Sequence, residues 1–278
     1  MTVIVSWINR ETPDNPMIWT AGDTQISQNE NFTLTNSGAK ILELPVICSP
    51  LDWESSTKPY FKTTFTYAFA GSSLTGLNVY AMLQPLLSHL VGQNNQRPCY
   101  GDITEIAKKI LLKYFEDIHG PTELLIAGYC PQTNHPFIVK IAIGPGSDGP
   151  GVRVEELDTE HDDLSVMVLG TKTQEVEKAI RDYWSEHKQW RSPVLTLKRI
   201  IENREIPGVG GNIQLIITQR PGKSYLYSVC CRSKEDPNAD TLAFRNLDLF
   251  DDIGLWVGPC MINISGMQLE LEFTVSPA

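Results

Sequence analysis

The sequence predicts an α+β fold, a four-layer αββα sandwich of two antiparallel sheets, and the order of its periodic segments carries that expectation. Strand-like and helix-like periodicities come in blocks, with groups of strands separated by pairs of helices. Such blocks suit two stacked sheets, each covered by a helix layer on its outer face. The first strands are expected at 2–9, 17–22, 40–47 and 62–69, where apolar residues dominate between turn-forming stretches. A helix follows at 73–91, carrying Leu74, Leu77, Val79, Tyr80, Leu83, Leu86, Leu87 and Leu90, more apolar surface than one core-facing stripe needs. The next helix, 102–119, takes Asp102 as its N-cap, repeats Ile103, Ile106, Ala107, Ile110, Leu111 and Tyr114 on one face, and stops at Gly120-Pro121. Strands return at 122–130, 136–143, 151–156 and 165–169. Helices at 172–190 and 193–204 come next, the second opening on Ser192-Pro193 in the cap and first-turn positions. The last clear strands are 212–218 and 224–231. Residues 1–231 therefore read as one domain, and 232–278 as a C-terminal extension packed on it, either an edge strand or an inter-subunit clasp.

Composition narrows the function classes. The chain has 278 residues, a formal net charge of −10, six cysteines and five histidines. Nucleic-acid affinity rests on Lys and Arg displacing counterions, so the acidic balance argues against that partner. No stretch approaches the roughly 18 apolar residues that span a bilayer. The N-terminus lacks the basic-then-apolar layout of a secretory signal, and the expected location is cytoplasmic, with no membrane partner. The cysteines show no C-x-x-C spacing and the histidines no H-E-x-x-H, so neither a metal site nor a cofactor is expected. Gly144 to Gly149 fits G-x-G-x-x-G, but the residues after it read as a strand, and a phosphate loop needs a helix N-terminus there. A Ser-His-Asp triad stays open, although no G-x-S-x-G elbow supports it.

One ordered set of residues carries chemistry. Thr2 stands behind Met1 and opens the apolar run Val3-Ile4-Val5; Ala21-Gly22-Asp23, Gly38-Ala39-Lys40 and Phe69-Ala70-Gly71-Ser72 follow in turn. Removal of Met1 would free the amine of Thr2. An α-amino group titrates near neutral pH and lies within reach of its own side-chain hydroxyl, so it can act as general base for that nucleophile. These are the parts of an N-terminal nucleophile (Ntn) hydrolase. The order resembles the proteasome β-subunit superfamily, including the bacterial heat-shock-locus V peptidase. Leu124 to Tyr129 with His135 to Lys140, Val168-Leu169-Gly170-Thr171, and Gly210-Gly211 before Asn212 to Ile216 extend the likeness over about residues 2 to 230.

The resemblance implies a threonine peptidase with Thr2 as nucleophile, acting on peptides or unfolded proteins. It implies that Lys40 favours the deprotonated nucleophile, that Asp23 fixes Lys40 by a charge-assisted hydrogen bond, and that the Gly71 N–H meets the developing oxyanion. Thr171 stands where the family has a serine and keeps the hydroxyl. By the same matching, Ile26, Gly38, Leu42, Phe69 and Ser73 line the pocket for the residue before the cut, an apolar lining that favours a hydrophobic side chain. Assembly into a homo-oligomeric ring is implied as well, with an ATPase partner left open.

Departures weigh against this. The family's amine-orienting Asp and Ser fall on Ile206 and Val209, which have no side-chain hydrogen bonds to offer; Glu205 is one residue away. Ser72 replaces a second glycine, and an insertion lies between Pro45 and Lys62 that either caps the cleft or makes a ring contact. Two alternatives therefore stand beside the peptidase: an amidase acting on a small non-peptide amide, and a catalytically silent ring subunit or interaction protein.

Overall fold

The computed structural model describes residues 2–29, 32–51, 58–146, 149–161, 163–232 and 240–269. Its first half contains β1 (Val3–Asn9), β2 (Met17–Asp23), β3 (Ile26–Asn29), β4 (Phe32–Thr35), β5 (Ile41–Pro50), β6 (Phe61–Gly71), α1 (Ser73–Ser88), β7 (Leu90–Gly92) and α2 (Tyr100–Ile118). Then come β8 (Thr122–Tyr129), β9 (Pro136–Gly146), β10 (Gly149–Glu156), β11 (Val166–Gly170), α3 (Thr173–His187), α4 (Ser192–Glu202), β12 (Ile213–Gln219) and β13 (Lys223–Arg232). The remainder holds β14 (Asp240–Phe244), β15 (Leu247–Asp248), a π-helical turn at Leu249–Ile253, β16 (Trp256–Val257), β17 (Cys260–Met261) and β18 (Ser265–Gln268).

The class is mixed α and β. Eight strands form one sheet in the order β11-β1-β2-β12-β13-β14-β15, with β18 also on β13, and six form another in the order β10-β9-β8-β6-β5-β7. Neither sheet is purely antiparallel, which corrects the expectation: β5 runs parallel to β7 and β13 parallel to β18. β7 ends its sheet, while β18 joins the internal β13 off the main strand order, and each returns beside its partner after a long connection.

Alternation along β1 decides what each face meets. Val3, Val5 and Trp7 belong to a cluster with Trp19, Leu215, Ile217 and the helix residues Val176, Ile180, Val194 and Leu197. Ile4 and Ile8 turn the other way and join Ile18, Ile41, Ala68, Leu125, Ile138 and Ile216, drawn from both sheets. The six-stranded sheet gives its other face to Val79, Leu83, Ala107 and Leu111 of α1 and α2. Hydroxyls cross between the sheets as well: Thr66 Oγ1 meets Thr218 Oγ1 at 3.0 Å, Thr218 meets Ser224 at 2.7 Å, and Ser224 donates to the Thr64 carbonyl at 3.0 Å. Each buried hydroxyl is thereby satisfied without water.

Some elements depart from the sequence reading for identifiable reasons. α2 starts earlier than Asp102 because Cys99 is the cap. Its Sγ accepts the Asp102 N–H (3.4 Å), and the Asp102 carboxylate accepts the Cys99 N–H (2.8 Å), a reciprocal capping box built on an uncommon cap residue. α1 stops at Ser88, and the expected last turn becomes β7 beside β5. The β3–β4 hairpin has an exposed β4, so no buried alternation marks it in the sequence. Gly144 to Gly146 and Gly149 pair with each other and with their neighbours as the tip of the β9–β10 hairpin. Of the insertion after Pro45, residues up to Pro50 prolong β5, and 52–57 fall outside the described residues. Beyond residue 231, β14 and β18 both pair with β13; of the 269–273 stretch only Leu269, buried, is described. No helix among the described residues is long and apolar enough to cross a membrane.

Gly76 gives a sharp test of this packing. In a helix interior Gly→Ala ordinarily stabilises by about 1 kcal/mol. Here an added β-carbon would collide with the buried Phe69 ring, and the Gly76 carbonyl accepts the Tyr67 hydroxyl at 2.6 Å. Overpacking costs about 1–3 kcal/mol, so packing outweighs propensity and Gly76→Ala lowers stability. Urea unfolding with an unchanged m-value measures the loss.

Candidate active site

The first step toward a site is a steric one. Gly22 lets β2 run close to β1, since a β-carbon there would lie 2.9 Å from Ile4 and 3.3 Å from the Val3 carbonyl. Asp23 follows as the last residue of β2 and is fully buried. Its Oδ1 accepts the Val3 N–H at 3.0 Å and the Lys40 ammonium at 2.9 Å, and its Oδ2 accepts the Gly210 N–H at 3.3 Å. One carboxylate thus joins the start of β1, the residue leading into β5, and the Gly210-Gly211 turn before β12.

Lys40 is buried to the same degree as its partner. Burial disfavours both charged forms. It holds the Asp23 carboxyl above the ordinary aspartate range, opposed by the Lys40 charge and by the Val3 and Gly210 N–H groups. It holds the Lys40 amine below the ordinary lysine range, opposed by Asp23. The linkage sign follows. A raised acid contributes stability below its unfolded value and loses it as pH rises through the folded one; a lowered base contributes above its unfolded value and loses it as pH falls. With both groups charged, the two shifts each lower stability, as is common for buried ion pairs.

Thr2 precedes Val3, whose N–H the Asp23 carboxylate holds, and has a relative exposure of 7%. Its carbonyl accepts the Thr171 N–H at 2.9 Å, and Val3 pairs with Gly170 across the β1–β11 ladder. Gly170 has φ +99°, and a β-carbon on it would collide with the Thr2 carbonyl, so this close approach needs glycine. The same position is 3.4 Å from the Ala70 methyl, which brings the end of β6 to the end of β11. Gly71, exposed with φ +94°, makes the turn into α1, and Ser72 caps that helix by accepting the Thr75 N–H at 3.2 Å. Thr2, Asp23, Lys40, Gly71 and Thr171 are therefore gathered through direct contacts or contacts of adjacent residues.

The five expected pocket residues are less uniform. Ile26 and Gly38 touch, since a β-carbon on Gly38 would collide with the Ile26 side chain. Phe69 is buried against Gly76 of α1, and Leu42 packs on the same cluster while also bordering a cavity of about 340 Å³ lined by Glu43, Pro45, Tyr80 and Arg245. Ser73 opens α1. Ile206 and Val209 are buried in the apolar cluster beneath α4, in keeping with their side chains. Glu205 turns away from the site, with Oε1 3.3 Å from Arg199 and accepting from Asn203 at 3.2 Å.

Two polar residues at the site had not been singled out from the sequence. Glu123 accepts the Gly170 N–H at 2.6 Å and pairs with Ala70 in the β6–β8 ladder. Gln214 is buried in β12, its amide bonded to the Asp23 and Gly38 carbonyls and to the Lys40 and Ile41 N–H groups. The one sequence signal for Gln214 is a polar residue inside Ile213-x-Leu215-Ile216-Ile217. No metal-ligand cluster occurs among the described residues.

No family model and no curated protein matches the chain. Solved structures do. A Gly-1 mutant of Anbu from Hyphomicrobium sp. strain MC1 aligns with a TM-score of 0.54 at 14% identity, covering 79% of this chain and 82% of that one. Anbu from the same strain gives 0.50 at 14% identity over the same shares. The Anbu complex from Pseudomonas aeruginosa, described as a helical assembly, gives 0.53 at 12% identity over 82% and 86%. The chain shares the fold of Anbu. It corrects the expected resemblance to the proteasome β-subunit and heat-shock-locus V peptidase: the structures aligned above are Anbu. At such identities the Anbu likeness establishes fold alone.

The buried pair makes its own prediction. Lys40→Met leaves the Asp23 carboxylate without its cation and should cost about 3–5 kcal/mol, whereas adding Asp23→Asn removes the uncompensated charge and should restore most of that loss. Urea unfolding of the wild type, the single variant and the double variant measures both changes; equal losses in the two variants would contradict it.

Proposed function

We propose that the chain is a cytoplasmic hydrolase of the N-terminal nucleophile type, with Thr2 as nucleophile once Met1 is removed, cleaving peptide bonds. The observation that carries this reading is the Asp23 carboxylate, bonded at once to the Lys40 ammonium and to the N–H of the residue after Thr2. In this reading the Lys40 cation, linked to Val3 through Asp23, favours the deprotonated forms of the Thr2 hydroxyl and amine. The amine takes the hydroxyl proton directly or through a water. Gly71, exposed at the turn that meets the Gly170 region, donates its N–H to the oxyanion, and Thr171 lies beside Thr2 on the other flank. Ile26, Gly38, Leu42, Phe69 and Ser73 set the preference for an apolar side chain before the cut.

We read the architecture as four layers. The three apolar clusters support that reading, since one joins the sheets and each of the others joins one sheet to one helix pair. Residues 1–231 form the hydrolase domain, and 232–278 complete it. Self-association is part of the same reading: Leu74, Leu77 and Leu86 are exposed on α1, and the Pseudomonas aeruginosa Anbu complex is a helical assembly. A head-to-tail contact closes as a ring or extends as a filament.

A second reading, a catalytically silent subunit, is favoured by Ile206 and Val209, whose buried apolar side chains cannot orient an amine. Intact-mass spectrometry separates the two. An active enzyme begins at Thr2 and gains one epoxyketone adduct, which Thr2→Ala loses along with several orders of magnitude in peptide cleavage. A chain that keeps Met1 and takes no adduct is the silent subunit. Light scattering during size exclusion should give a mass several times 31.1 kDa; a strictly monomeric peak at micromolar concentration would sink the assembly.

A further inference from the structure

Gln214 uses every hydrogen-bonding capacity of its side chain on the backbone around the ion pair. Its oxygen accepts the Lys40 N–H at 3.0 Å and the Ile41 N–H at 3.3 Å; its NH2 donates to the Asp23 and Gly38 carbonyls, each at 3.0 Å. A primary amide has two acceptor positions and two donors, so none is left over. The partners belong to two stretches, the end of β2 in the eight-stranded sheet and residues 38–41 leading into β5 of the six-stranded sheet. Those are the stretches that the Lys40–Asp23 contact of 2.9 Å also joins. Gln214 therefore holds the main chain of both members of the pair, one by its carbonyl and the other by its N–H.

We infer that Gln214 is a positioning residue that sets the separation of the Asp23 carboxylate and the Lys40 ammonium by gripping the two backbones from which they extend. Length and chemistry both matter. Asparagine is one methylene short of spanning the two stretches, and methionine matches the length with no hydrogen bonds to offer. Loosening either grip lets Lys40 drift from Asp23, the charged group that supports its ammonium against burial. The catalytic consequence rests on the hydrolase reading, whereas the effect on Lys40 does not.

The full-length protein labelled at lysine Cε allows Lys40 to be titrated by NMR whether or not the chain is an enzyme. In Gln214→Met the Lys40 protonation equilibrium should move toward the neutral amine by about tenfold, equivalent to one pKa unit. Gln214→Asn, which retains an amide and is the variant to use if the methionine form does not fold, should move it in the same direction. On a fluorogenic peptide cleaved by the wild type, kcat should fall about 100-fold in each folded variant while KM stays within about twofold, the pattern of a misplaced activating group. A wild-type protein that cleaves nothing defeats the hydrolase reading and leaves the lysine titration to decide the role of Gln214. A folded Gln214→Met or Gln214→Asn protein in which Lys40 titrates as in the wild type overturns the inference, and a wild-type kcat in such a protein overturns its catalytic half.

Discussion

The buried ion pair between Asp23 and Lys40 is the constraint around which the surrounding structure is organised. Two charges out of water carry a desolvation cost of several kcal/mol each, and their attraction offsets it only when the remaining lone pairs and protons are also satisfied. Asp23 meets that condition with the Val3 and Gly210 N–H groups, one on β1 and the other before β12. The pair thus obliges three separate parts of the chain to converge. It also crosses from one sheet to the other, since Asp23 ends a strand of the eight-stranded sheet and Lys40 leads into a strand of the six-stranded one. Apolar residues of similar volume could replace such a pair at little loss of stability, so stability alone does not account for it.

The rest of the packing brings that convergence within reach. The inter-sheet layer mixes aliphatic side chains with paired hydroxyls, so the sheets are joined by directional bonds as well as by apolar area. Close approaches near Thr2 depend on missing β-carbons at Gly22 and Gly170. Along the first part of β5, which β7 does not cover, side chains take the carbonyls: Ile41 O accepts Arg245 at 3.2 Å, and Glu43 O accepts Tyr80 at 2.8 Å. Sealing an edge this way removes a template for strand addition. It also ties the region after β14 to the strand that Lys40 introduces.

The departures around Gly210 acquire a physical meaning in this setting. Ile206 and Val209 complete the cluster under α4, while the Gly210 N–H is spent on Asp23. The turn thus supports the carboxylate through its backbone and contributes apolar volume through its side chains. Glu205, close in sequence, belongs to a surface contact with Arg199. Nearness along the chain and nearness in space part company within a single turn.

What the sequence determined by itself was whatever repeats locally. The α2 apolar stripe, the apolar run of β1 and the order Thr2, Asp23, Lys40, Gly71 and Thr171 were all legible, because periodicity and motif order need no knowledge of distant partners. Short elements with no alternating buried face of their own were not legible: the β3–β4 hairpin and the short strands after β13 take their form from a neighbour rather than from their own pattern. The site divides the same way. Tertiary structure alone decided that Gln214 reaches Lys40 across 174 positions and Glu123 reaches Gly170 across 47, and that Glu205 reaches neither. A buried hydrogen bond is chosen by which donors and acceptors the packed core leaves facing one another, and that choice exists only once both sheets are in place.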